Sequence, residues 1–93
     1  MNIRFENTYG RDLKKIANKA VKAEAKQAVL AVEKAVRPKN IPELRKLEGG
    51  KKDIYYRIRI RRYRIGITIV NDTVTFVRCL PRKIFYRHFP PKN

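Results

Sequence analysis

Segment 54–80 constrains the fold more tightly than any other part of this chain. Three runs rich in Ile, Val, Tyr and Thr, at 54–60, 63–70 and 73–80, are separated by the two-residue links Arg61-Arg62 and Asn71-Asp72. Such runs suit extended backbone, because β-branched and aromatic side chains pack well on a pleated surface. A two-residue link leaves no room for a crossover, so consecutive runs must fold back as antiparallel hairpins. Asn71-Asp72 suits the positive φ of a tight turn. Arg61-Arg62 does not, so that turn is expected to be longer or irregular.

A two-residue turn at Arg61-Arg62 would set the register. Ile60 would face Tyr63, Ile58 would face Ile65, and Tyr56 would face Ile67, all six on one core face. The opposite face would collect Tyr55, Arg57, Arg59, Arg64, Gly66 and Thr68. Arg59 would then oppose Arg64, and like charges in that position cost up to about 1 kcal/mol. Keeping such a pair implies a compensating anion. Arg57 would oppose Gly66, where no side chain blocks the approach of a ligand. Continued through Asn71-Asp72, the register sends Val74 and Phe76 to the core, but also Arg78. Either Arg78 snorkels past the core edge or a bulge shifts the strand.

Upstream, Ile3 and Phe5 alternate with Arg4 as a short first strand. Asn7 or Thr8 is expected to cap a helix. Leu13, Ile16, Ala17 and Ala20 form one apolar stripe, and Val21, Ala25, Ala28, Val29, Val32 and Val36 form a second. The helical stretch ends before Pro38. It is one helix of roughly 28 residues or two packed as a hairpin, and ordinary helix lengths favour two. No Gly or Pro marks the break, which leaves Asn18 as the candidate. A connector at 37–53 follows, punctuated by Pro38, Pro42 and Gly49-Gly50, with Leu44 and Leu47 tacking it to the core. The expected fold is therefore α+β, one domain over residues 1–93. An N-terminal strand and a helical hairpin pack on a mainly antiparallel four-stranded sheet, and a short basic C-terminal tail closes the chain.

Charge narrows the partner. The formal net charge is +16, and a compact body so charged repels itself unless an anion is near. Residues 1–53 hold 14 Lys/Arg, 10 of them lysine, against 7 acids, whereas residues 54–93 hold 10, 8 of them arginine, against Asp72 alone. Lysine on a helix is usually solvation. Arginine in a strand without acids beside it points to bidentate phosphate contacts or stacking on bases. No apolar run approaches the roughly 18 residues that span a membrane, and residues 1–10 lack an apolar leader core. The single cysteine, Cys79, excludes a disulfide framework and points to a reducing, cytoplasmic compartment. No Cys/His cluster has metal-ligand spacing, so no metal and no cofactor are expected. Cys79 reads as packing, as do Phe85 and Phe89. His88 is the lone histidine and sits near the chain end. Arg82 and Tyr86 stand one helical turn apart just past the last strand.

The order of strand, helical pair, basic connector, three-stranded meander and basic aromatic tail resembles the RelE/ParE superfamily, the toxins of type II toxin–antitoxin systems. The resemblance rests on Tyr56-Arg57-Ile58-Arg59-Ile60 followed by Tyr63-Arg64-Ile65-Gly66. Leu44-Arg45-Lys46-Leu47-Glu48-Gly49 precedes it; Arg82-Lys83-Ile84-Phe85-Tyr86-Arg87 and Phe89-Pro90 follow. The resemblance, RelE-like in particular, implies a ribosome-dependent, metal-independent mRNA endoribonuclease that inhibits translation. It implies that the ribose 2′-OH attacks the adjacent phosphate while basic residues stabilise the added charge. It assigns Arg57, Arg64, Arg82 and Tyr86 to catalysis. Arg59, Arg61, Arg62, Lys46 and Lys83 would bind RNA. Tyrosine, with an ordinary pKa of about 10, would serve as a base only if nearby arginines lowered it. The implied partners are the ribosome, mRNA and an acidic antitoxin that forms a heteromer with the toxin; the free toxin would be monomeric. Two positions depart from many members, which carry a Gly-Asp or Gly-Asn turn at Arg61-Arg62 and a histidine at Pro81. A ParE-like inhibitor of DNA gyrase and a non-catalytic RNA- or ribosome-binding protein are the alternatives.

Overall fold

A computed structural model describes residues 1–92. The order is β1 (Asn2–Phe5), α1 (Asn7–Lys15), α2 (Lys19–Lys34), a short 3₁₀ turn (Pro38–Asn40), β2 (Leu44–Lys46), β3 (Tyr55–Ile60), β4 (Tyr63–Val70), β5 (Thr73–Pro81) and α3 (Arg82–His88). The helical stretch is two helices. Ile16 leaves the helix in extended conformation, and Asn18 starts the next one by accepting from the N–H groups of Ala20 (2.8 Å) and Val21 (3.2 Å). Such a cap satisfies donors that the first helical turn cannot. At α1 the expectation was wrong. Glu6 holds the cap position without a side-chain bond, and Thr8 instead donates to the Val77 carbonyl at 2.6 Å.

The sheet runs β1-β5-β4-β3-β2, with β1 parallel to β5 and the other neighbours antiparallel. It has five strands among the described residues rather than four, because β2 forms within the expected connector. Three residues are too few to show alternation in a sequence, but their backbone groups pair along the open edge of β3. The register of β3 with β4 is the expected one, from Ile60 opposite Tyr63 to Tyr55 opposite Thr68. Arg61-Arg62 is a two-residue turn after all; Arg61 adopts φ +50°, just as Asn71 adopts φ +55° in the second turn. On β5 a bulge at Val77 separates the pairs Gly66–Arg78 and Ile67–Phe76.

That bulge accounts for Arg78. Its guanidinium reaches the buried Asp12 of α1 through Nε (2.8 Å) and Nη2 (3.2 Å), and Asp12 also accepts the Cys79 backbone N–H at 2.9 Å. β1 ends opposite Phe76. Beyond it, α1 takes over the edge of β5, with Thr8 donating to the Val77 carbonyl and Asp12 accepting the Cys79 N–H.

The helices α1 and α2 cover one face of the sheet. Tyr9, Ile16, Val21, Ala25 and Val32 pack on Ile58, Ile60, Ile65, Ile67, Val74, Phe76 and Cys79. The other face carries a second, smaller apolar cluster of Tyr55, Leu80, Phe85 and Phe89. The basic tail is therefore the helix α3, anchored by Phe85 and Phe89, both at most 1% exposed. Leu44 packs into the first cluster and Leu47 into the second, so the connector is tacked on both sides.

Candidate functional site

The second face holds the arginines expected from the register. Across the sheet, Arg45 pairs with Arg57, Arg57 with Gly66, and Gly66 with Arg78. Paired residues share a face, so Arg45 joins Arg57 on the side that α3 covers. The vacancy at Gly66 is not left for a ligand. A Cβ there would lie 2.8 Å from the Phe89 ring, so the glycine makes room for Phe89. That ring in turn meets Tyr55 edge-on, with centroids 5.5 Å apart. Gly66 thus seats α3, and α3 brings Tyr86 to the arginines.

Arg57 is the centre of the arrangement. Its Nη1 donates to the Glu43 carbonyl at 2.6 Å, and the Tyr86 phenol lies beside the guanidinium. Burial pulls Arg57 below its ordinary pKa, the Tyr86 phenol pushes it back up, and Arg45 and Arg64 press it down. An arginine so placed remains charged at neutral pH. Tyr86 itself is 48% exposed, and its phenol lies beside Arg57.

Arg64 is buried at 8% exposure. Its Nη1 donates to the carbonyls of Arg61 (3.1 Å) and Tyr63 (2.8 Å), and its buried Nε has no partner among the described residues. Arg59 opposes it as expected. The compensating anion, however, is internal: the Glu43 carboxylate receives Arg59 Nε at 2.8 Å and stands 2.5 Å from Nη2. Arg61 turns away to Glu24 on α2, 2.5 Å from its Nε. A cleft of about 750 Å³ lies between α2, the Ile41–Pro42–Glu43 corner and the β3–β4 tip, rimmed by these two ion pairs.

The remaining expected residues divide. Arg82 opens α3 exposed, its N–H bonded to the Arg62 carbonyl at 2.7 Å, one helical turn before Tyr86. Arg62 and Lys83 are exposed near the same end. Lys46 is not part of the cluster. It pairs opposite Tyr56, on the helix-covered face, and Asp53 holds it at 2.8 Å, which raises its pKa. His88 ends α3 in solvent, and Cys79 is buried, its thiol pushed up to about 12 by burial and by Asp12.

The model of the ParE toxins of type II toxin–antitoxin systems, parDE, matches residues 3–86. The chain belongs to this family. Toxin RelE3 of Methanocaldococcus jannaschii is 34% identical over 94 residues, covering 97% of this chain and all of that protein. Among solved structures, the RelB–RelE antitoxin–toxin complex from Methanococcus jannaschii matches at TM-score 0.77 and 31% identity, over 94% of this chain and 99% of that one. The YoeB dimer from Staphylococcus aureus shares the fold at TM-score 0.69 and 18% identity, over 86% and 94% of the two chains. The chain is thus a RelE/ParE superfamily toxin, with an α+β fold whose sheet is mixed and five-stranded among the described residues.

Against that family frame, two site residues escaped the sequence. Arg45 and Glu43 lie on and beside β2, the strand that alternation could not reveal. The spacing of Leu44 and Leu47 was the available signal. It places Arg45 and Lys46 on opposite faces once the segment is read as a strand.

Proposed function

We propose that this chain is a RelE-like toxin that cuts mRNA on the ribosome without help from a metal, and that an acidic antitoxin holds it inactive. The observation that carries the reading is Arg57. It is semi-buried, fixed by a carbonyl, flanked by Arg45 and Arg64, and set beside a half-exposed tyrosine. A cluster of like charges around one solvent-accessible point is unfavourable unless an anion arrives there.

In the proposed reaction the ribose 2′-oxygen attacks the adjacent phosphorus in line. The bond to the 5′-oxygen of the next nucleotide breaks, and that oxygen takes a proton from solvent, leaving a 2′,3′-cyclic phosphate and a free 5′-hydroxyl. Charge builds on the phosphorane, and preorganised guanidinium groups aimed there stabilise it by several kcal/mol. Arg57, Arg64 and Arg82 fill that role, since arginine is too weak an acid to act as a base. Tyr86 supplies a hydroxyl at the reacting ribose, where it positions the 2′-oxygen and relays its proton to solvent, accepting it as its own phenolic proton passes to water. Arg62 and Lys83 contact the RNA backbone directly, while Arg59 and Arg61 exchange their internal carboxylates for phosphate; Lys46, on the other face, takes no part. The relative solved with its antitoxin RelB supports an antitoxin as the protein partner, and the net charge of +16 favours an acidic one.

The matching family description names ParE toxins, which keeps open the ParE-like alternative, inhibition of DNA gyrase. Mapping mRNA ends after expression separates the two. Codon-periodic cuts support the nuclease; intact mRNA with trapped gyrase on DNA supports the other.

A further inference from the structure

Glu43 adopts φ +59°, a left-handed backbone that residues other than glycine rarely take. Strain of this kind persists where the surrounding structure over-determines it. Here it turns the Glu43 carbonyl toward β3, just before β2 begins. That oxygen accepts Arg57 Nη1 at 2.6 Å and the Arg59 backbone N–H at 3.3 Å. The side chain of the same residue holds the Arg59 guanidinium through Oε1, 2.8 Å from Nε. One residue therefore fixes two arginines that share a sheet face, each by a different chemical group.

We infer that Glu43 is a positioning residue of the site: its backbone carbonyl aims Arg57 at the Tyr86 side of the face, and its carboxylate holds Arg59 until RNA displaces it. The inference rests on the nuclease reading, because it gives Arg57 a substrate. The two roles separate by substitution. The carbonyl role depends on the left-handed turn, and the carboxylate role depends on the side chain. Glycine keeps the first and loses the second. A β-branched residue such as valine is strained at this φ and disrupts the first as well. Glutamine keeps the shape and removes only the charge.

The test is single-turnover cleavage of a short mRNA on programmed ribosomes, with the rate at saturation and the half-saturating concentration read separately. Glu43→Gln is expected to lower the half-saturating concentration roughly two- to five-fold, the scale of an exposed ion pair no longer competing with RNA. Glu43→Val is expected to cut the saturating rate on the order of ten-fold relative to Glu43→Gly, because misaimed groups lose effective molarity steeply. Equal saturating rates for the valine and glycine variants, or an unchanged half-saturating concentration for the glutamine variant, would overturn the inference. If the unmodified protein cuts no mRNA, the nuclease reading fails instead. Nitrogen-15 exchange at the Arg57 guanidinium then decides the positioning claim alone, with faster rotation in Glu43→Val than in Glu43→Gly supporting it and equal rotation refuting it.

Discussion

The two faces of the sheet are closed by different means. Under α1 and α2 the side chains are mainly Ile, Val, Ala and Phe, with the buried Tyr9 hydroxyl left without a partner among the described residues, and at the sheet edge Asp12 answers Arg78 directly. Under α3 the apolar cluster is small, and Arg57 and Arg64 are set into it with carbonyl oxygens, not carboxylates, as their partners. The first face is built for stability. On the proposed reading, the second keeps Arg57 and Arg64 without carboxylate partners to receive a polyanion, while Arg59 on the same face is answered by Glu43. Both stand on the same three strands, so alternation along β3 and β4 is enough to separate scaffold from chemistry.

The contrast breaks most visibly at Asp12. Asp12→Ala leaves Arg78 and the Cys79 N–H without their acceptor and is expected to cost roughly 3 kcal/mol, the low end for removing one partner of a buried pair. Urea unfolding measures this, and the folded fraction should still cleave. On the other face, Gly66→Ala forces a methyl into Phe89. It is expected to cost about 1–3 kcal/mol, as overpacking does, and to lose activity beyond that, because α3 carries Tyr86. Tyr86→Phe sharpens the division further. Stability should stay within about 0.5 kcal/mol, as for a surface change, while cleavage falls on the order of 10²-fold. Full cleavage by that variant would remove Tyr86 from proton transfer.

The smallest effect is in pH. The Cys79 thiol is raised from 9.0 to about 12 by burial, and burial raises Tyr9 as well. The folded state therefore keeps protons that the unfolded state releases, and stability is expected to fall as pH rises above about 9. A thiol reagent at pH 8 should label Cys79 only after unfolding. Prompt labelling of the folded protein would contradict its burial.

Much of this was legible because period-two patterning over long runs leaves few alternatives. The pairing of β3 with β4 and the face shared by Arg57, Arg59 and Arg64 follow from it, whereas Phe85 and Phe89 were legible only as aromatics that cap the core. What stayed hidden depended on contacts distant in sequence. No local rule shows that Gly66 is filled by Phe89, 23 positions later. Nor does one show that Arg59 and Arg61 are answered by Glu43 and Glu24, although the opposed arginines did announce that some anion was needed. β2 is three residues long and takes its structure from the edge of β3, so its own sequence carries little trace of it.

The most direct measurement maps mRNA 5′ ends in cells expressing the chain or its Arg57→Ala variant. Codon-periodic cuts with the first, lost with the second while the protein remains folded, are the expected result. Equal cutting by both, or intact mRNA with both, would contradict the assignment of the arginine face under α3 as the site of cleavage.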